Sequence, residues 1–186
     1  MPFLIALLGG ALILFALRRL APGVVPMIGS DDRPTADYWI PPEVNGTVRY
    51  DSPPPWKEGE NCSGTRPGTE KLGTYLRQAF PGISDVGGYA CRQNTANASE
   101  TSTHGTGRAL DLHVDPATGR KVADWLVTHA TEIGAQYVIW DRGFWSGRTG
   151  RGGVYTGPHD HRDHVHVELN EDGAQGTAPW FRGGVA

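Results

Sequence analysis

In the stretch TSTHGTGRALDLHV, residues 101–114, His104 and Asp111 stand seven positions apart among small residues. A second stretch, HDHRDHVHVEL, residues 159–169, carries His159, His161, His164 and His166. Imidazole nitrogens and carboxylate oxygens are ligands for a divalent transition metal, so His104, Asp111 and His166 are a candidate set of three. Three protein donors with a fourth position left open is the pattern of a catalytic zinc, whose remaining site takes water or substrate. A closed structural site would recruit thiolates, and Cys62 and Cys91 are not spaced as a ligand pair.

Positioning those donors requires strands. ALDLHV, residues 109–114, alternates with period two, so Asp111, His113 and Asp115 share one face and Leu110, Leu112 and Val114 the other. HVHVEL, residues 164–169, sets His164, His166 and Glu168 against Val165, Val167 and Leu169 in the same way. AQYVIW, residues 135–140, reads as a buried strand. TEKLGTYLRQAF, residues 69–80, puts Leu72, Leu76, Ala79 and Phe80 on one helical face, with Thr69 as N-cap and Pro81 as stop. A second helix is expected within residues 117–133, ended by Gly134. The order of elements predicts an α+β domain, a small antiparallel sheet with flanking helices, preceded by an N-terminal apolar helix and a Pro-rich linker.

Composition sets the class. The chain has 186 residues, 38% hydrophobic and 20% charged, with a formal charge of −3 and no Lys/Arg run, which leaves no electrostatic footprint for nucleic acid. Phe3 to Leu17 carries no charge, the length of a long signal h-region and short of a comfortable membrane span. Arg18 and Arg19 follow it, which by the positive-inside rule would hold the rest of the chain in the cytoplasm. Cys62 and Cys91 argue the other way: an even pair suits one disulfide in an oxidising compartment, although two cysteines are also compatible with the reduced state. The reading favours an exported or membrane-anchored domain in the cell-wall compartment, attached to the membrane through its N-terminal segment. Residues 21–67 hold nine of the fourteen prolines and read as a tether or wrapping arm. The expected organisation is therefore a signal or anchor at 1–20, a Pro-rich linker at 21–59, the zinc domain at 60–172 and a tail at 173–186.

Ser102 to Asp111, STHGTGRALD, resembles the S-x-H-x-x-G-x-A-x-D motif of the zinc D-alanyl-D-alanine peptidase family, and His164-Val165-His166 resembles its H-x-H. At residue frequencies of about 7%, five fixed positions coincide by chance on the order of once per million windows, which makes the motif specific. The family includes D,D-carboxypeptidases and penicillin-insensitive murein endopeptidases and shares its fold with the hedgehog signalling domain. The resemblance implies a Zn2+ ion on His104, Asp111 and His166. It implies a catalytic carboxylate three residues before the last ligand, here Asp163 in place of the usual Glu, and an oxyanion-stabilising arginine at Arg92. Asp is one methylene shorter than Glu, so His164 or His161 stands as the alternative proton acceptor. His164 shares the active face by alternation. Ser102, His161 and Trp140 are the candidate substrate contacts, with turn-forming the alternative for Ser102 and core packing for Trp140. The implied activity is zinc-dependent hydrolysis of an amide bond in peptidoglycan stem peptides or cross-links. The alternative is a non-catalytic zinc domain that binds peptidoglycan or a protein partner.

Overall fold

The two histidine-bearing strands pair directly with each other, and this pairing organises the sheet. In the computed structural model, which describes residues 36–183, β2 (Ala109–Val114) runs antiparallel to β6 (His164–Leu169) with Asp111 opposite His166 and Leu112 opposite Val165. β6 also pairs with β3 (Ala135–Trp140), so the strand that comes last in the chain lies at the centre. β1 (Ile83–Gly87), β4 (Gly143–Ser146) and β5 (Arg151–Val154) complete a six-stranded sheet in the order β1-β2-β6-β3-β4-β5, antiparallel throughout. The expected α+β class and antiparallel sheet are thus present. The apolar segment Phe3–Leu17 and the N-terminal helix expected there lie outside the described residues. Among the described residues no helix is long and apolar enough to cross a membrane.

Alternation gives the sheet two unlike faces. Leu110, Leu112, Val165, Val167 and Leu169 are buried on one of them. Two helices, α1 (Pro67–Ala79) and α2 (Pro116–Thr128), contribute Leu72, Leu76, Val122, Trp125 and Leu126 to the same apolar core. The opposite face presents Asp111, His113, His164, His166 and Glu168. Trp140 belongs to the core face: its ring would collide with any Cβ added at Gly119 of α2.

The helix ends depart from the sequence expectation in two places. Thr69 is not the N-cap of α1; the helix starts earlier, with Pro67 at its first position and Arg66 as N-cap, and Thr69 is fully buried. Proline's fixed φ is pre-organised for a first turn, and its missing N–H removes a donor that has no intrahelical partner there anyway. The single helix expected across 117–133 is two, because His129 interrupts it before α3 (Ala130–Ile133). His129 has φ −100° and ψ 11°, outside the helical range, and both its backbone N–H and its ring Nδ1 donate to the Trp125 carbonyl, at 3.0 and 2.8 Å. At the start of α2 the Asp115 side chain accepts from the backbone N–H groups of Ala117 and Thr118, and at the end of α3 Gly134 adopts the left-handed conformation that stops a helix.

The proline-rich residues between 36 and 66 lie along the domain. Trp39 is buried and its indole donates to Asp124 Oδ1 at 2.9 Å, while Val48 donates its N–H to the Gly147 carbonyl. At the other end of the chain, α4 (Glu171–Gln175) packs on α1, and Phe181 of α5 (Pro179–Arg182) joins the core.

Cys62 and Cys91 form a disulfide across a separation of 29 residues. The chain-entropy argument assigns such a loop roughly 3 to 4 kcal/mol of stabilisation. Reduction should therefore lower the unfolding free energy by about that amount, read from denaturant curves with and without reductant; identical midpoints would show that the crosslink does not constrain the unfolded chain.

Candidate metal centre

The site is built on a turn and two strands. Residues 102–107 form the turn, closed by backbone bonds from Thr106 N–H to the Ser102 carbonyl, Gly107 N–H to the His104 carbonyl and Arg108 N–H to the Thr103 carbonyl. Gly107 has φ +69°, and a Cβ there would come within 1.8 Å of the Gly64 carbonyl oxygen, so the turn requires glycine at this position. The turn delivers His104, almost fully buried, above the polar face of β2 and β6. His104 Nε2 lies 3.2 Å from Asp111 Oδ2 and 3.3 Å from His166 Nδ1, and His166 Nδ1 lies 2.8 Å from Asp111 Oδ1.

The remaining ring nitrogens decide what those atoms offer. His104 Nδ1 donates to the Gly88 carbonyl at 2.6 Å, which leaves Nε2 as the lone-pair nitrogen. On His166, Nε2 faces Glu168 Oε1 at 3.5 Å. That carboxylate is itself held by the Thr103 hydroxyl at 2.8 Å and the Gln136 amide at 3.2 Å. With both outward nitrogens acting as donors, two lone pairs and a carboxylate point at one spot. Such an arrangement calls for a cation or a proton, and His104, Asp111 and His166 can hold a metal ion. Without an ion a proton fills the role. Burial alone would raise the Asp111 pKa, but hydrogen bonds from His104 and His166 hold it well below the usual carboxylate range. Burial alone would lower the His166 pKa, but its hydrogen bonds to Asp111 and Glu168 raise it to about 9. Burial would likewise raise Glu168, and the hydrogen bond to His166 reverses that.

The three donors border a cavity of about 440 Å³. Of the other residues singled out in the sequence, Arg92, Ser102, His161 and His164 also line it; Asp163 and Trp140 do not. Arg92 follows the disulfide, its guanidinium donates to the Gln93 carbonyl at 3.2 Å, and its own carbonyl accepts from Ser102 N–H. His161 has φ +52° and donates from Nδ1 to the His159 carbonyl at 2.7 Å; burial pushes its pKa down to about 4, so the ring is neutral with Nε2 unprotonated.

Asp163 and Trp140 lie off the cavity wall. The Asp163 side chain is 81% exposed, and its Oδ1 sits 2.7 Å from His164 Nδ1. It orients His164 from outside the cavity: Asp163 stands just before the start of β6, where strand alternation does not yet fix its direction, and its side chain reaches the His164 ring from the solvent side. His164 Nε2 lies 3.9 Å from Asp111 Oδ1, toward the metal donors. Trp140 lies on the core face, one residue out of phase with the β3 residues Tyr137 and Ile139 that face the site.

Tyr50, Tyr137 and Tyr155 line the cavity and were not identified from sequence. Tyr137 follows from the alternation of AQYVIW once the polar face is known. Tyr50 comes from the proline-rich arm and Tyr155 from beyond the edge strand, where no periodicity marks them.

The family model described as VldE, C-terminal domain, matches residues 61–166, more than half of the chain and a span that includes all three donors and both cysteines. No curated protein and no solved structure gives a significant match.

A raised His166 pKa has a definite sign. Stability contributed by its proton is fully present below pH 6.5 and lost as pH rises through about 9. Denaturation of the metal-free protein should show falling stability across that window, whereas an added cation that replaces the proton should flatten the profile. Equal slopes with and without metal would remove His166 from the ligand set.

Proposed function

We propose that this chain, which belongs to the VldE C-terminal domain family, is a zinc-dependent peptidase that hydrolyses an amide bond in peptidoglycan stem peptides or cross-links. The observation that carries the reading is the convergence of His104 Nε2, Asp111 and His166 Nδ1 beside a cavity that also presents three further histidines, His159, His161 and His164. Donors about 2.0 to 2.1 Å from a tetrahedral zinc stand about 3.3 Å from one another; the two separations from His104 Nε2 are 3.2 and 3.3 Å, while Asp111 Oδ1 and His166 Nδ1 stand closer, at the 2.8 Å of a hydrogen bond. The resemblance of Ser102–Asp111 and His164–His166 to the zinc D-alanyl-D-alanine peptidase motifs supports the substrate class. The disulfide supports a compartment outside the reducing cytosol, in keeping with an exported or membrane-anchored domain.

When bound, the cation supplies Lewis acidity toward a carbonyl oxygen and an attacking water. The chain supplies the proton transfers. Asp163 holds a proton on His164 Nδ1, which leaves Nε2 as a lone-pair acceptor turned toward the donors, and the same carboxylate stabilises the imidazolium once Nε2 has taken the water's proton. His164 then returns that proton to the leaving amine. The base is therefore His164, with Asp163 acting through it. Neutral His161, fixed through Nδ1, offers Nε2 as a second acceptor on the cavity wall. Arg92 supplies donors for the negative charge that develops on the carbonyl oxygen. Tyr50, Tyr137 and Tyr155 wall the cavity with rings against which a peptide backbone and small side chains can lie.

Digestion of cross-linked muropeptides by the zinc-loaded protein, followed by mass spectrometry, tests this. His104→Ala should abolish product through loss of metal. His164→Ala should retain zinc and lose roughly 10²- to 10⁴-fold in rate, with Asp163→Asn falling short of that loss because it removes only the orienting group. Intact muropeptides in a sample with zinc demonstrably bound would overturn the enzymatic reading in favour of a domain that binds peptidoglycan or a protein partner.

A further inference from the structure

The antiparallel register repeats the donor chemistry one row along the sheet. In the first row Gly87, Asp111 and His166 lie opposite one another across β1, β2 and β6, and the next row on the same face is Asp85, His113 and His164. Residues opposite one another in antiparallel strands share a face, and rows two residues apart lie roughly 7 Å from each other. Asp163 joins the second row from the strand's start, with its Oδ1 2.7 Å from His164 Nδ1. The rings of His113 and His164 lie 5.4 Å apart, and ligand atoms of His113, Asp163 and His164 fall within 4.8 Å of one another. This trio lies outside the cavity wall except for His164, which belongs to both rows.

We propose that His113, Asp163 and His164 form a second binding site for a divalent transition-metal ion, weaker than the first and inhibitory. Two imidazoles and a carboxylate select a borderline cation such as zinc over calcium or magnesium, which prefer all-oxygen ligands. The site is weaker because Asp163 is exposed to water and because a cation in the first row repels a second one a row away. Its inhibitory effect follows from the two nitrogens of one ring. A cation on His164 Nδ1 displaces the proton that Asp163 holds there, and a neutral ring then carries its single proton on Nε2. The lone pair that faces the first site is converted into an N–H: the ring keeps one proton throughout, which leaves Nδ1 for the cation and is taken up at Nε2. The inhibitory half of the inference rests on the peptidase reading; the binding half does not.

Equilibrium dialysis of the full chain against Zn2+ separates the two. Wild type should take up two equivalents, the second roughly 10- to 100-fold more weakly, the range by which weakly supported ligands lose affinity. His113→Ala should keep the tight equivalent, which also reports that it is folded, and lose the weak one. His104→Ala should lose the tight one. On muropeptides, zinc beyond one equivalent should inhibit wild type and leave His113→Ala unaffected. One equivalent in wild type, or two in His113→Ala, would overturn the second site. Two equivalents with the expected variant pattern but no cleavage by any form would leave the second site standing and sink the peptidase reading instead. Cleavage by wild type that excess zinc does not slow would overturn the inhibitory half.

Discussion

Everything at the site depends on which residue of β2 faces which residue of β6. Asp111 opposite His166 puts a carboxylate and an imidazole side by side on the polar face, and the same register puts Leu112 against Val165 in the core. The two requirements lock each other. A slip of one residue would bury Asp111 and His166 among apolar side chains and expose Leu112 and Val165, so hydrophobic burial enforces the donor geometry without any contact to the donors themselves. The candidate donor set is held in register by the opposite side of the sheet.

The turn that adds His104 needs its own anchor, and buried polar groups provide it. Arg108 is almost fully inaccessible, with Nε donating to the Thr106 hydroxyl at 3.0 Å and NH1 to the Asp51 carbonyl at 3.0 Å, while Nε lies 3.4 Å from the partly exposed Glu171 carboxylate. One guanidinium thus ties the histidine turn, the N-terminal arm and the helix after β6. Asp51 is fixed in turn by Arg49, by the Glu171 N–H and by its own N–H to Gln136, and Gln136 reaches the Glu168 carboxylate that faces His166. Removing one member would leave charged or amide groups buried without partners, which is why such networks act as units.

Much of this was legible in the sequence because alternation is a strong signal. The strands ALDLHV, AQYVIW and HVHVEL have the bounds the sequence indicates; the polar faces of the first and last bring Asp111 and His166 together, and the preceding turn adds His104. What the sequence hid were features set by tertiary context. Thr69 has the residue type of a cap, yet the helix begins at a proline before it. His129 fits a helical pattern, yet its backbone leaves the helical conformation and divides α2 from α3. Asp163 sits at the spacing of a catalytic carboxylate, and only coordinates show it turned outward onto His164. Tyr50 reaches the cavity because the arm folds back over the sheet, a path no local pattern records.

The central position of β6 has a consequence for timing. A chain that emerges N-terminus first presents the turn, β1, β2 and β3 well before residues 164–169, yet β2 and β3 meet only through that last strand. Until it arrives, the sheet is two unconnected halves with open edges, and the cation donors number two. Long-range pairing of this kind is slow and leaves strand edges exposed while it waits. The donor set is therefore incomplete on any chain that has not yet reached β6: His104 and Asp111 can stand ready on the turn and β2, but their third partner is supplied by the same strand that joins the two halves of the sheet.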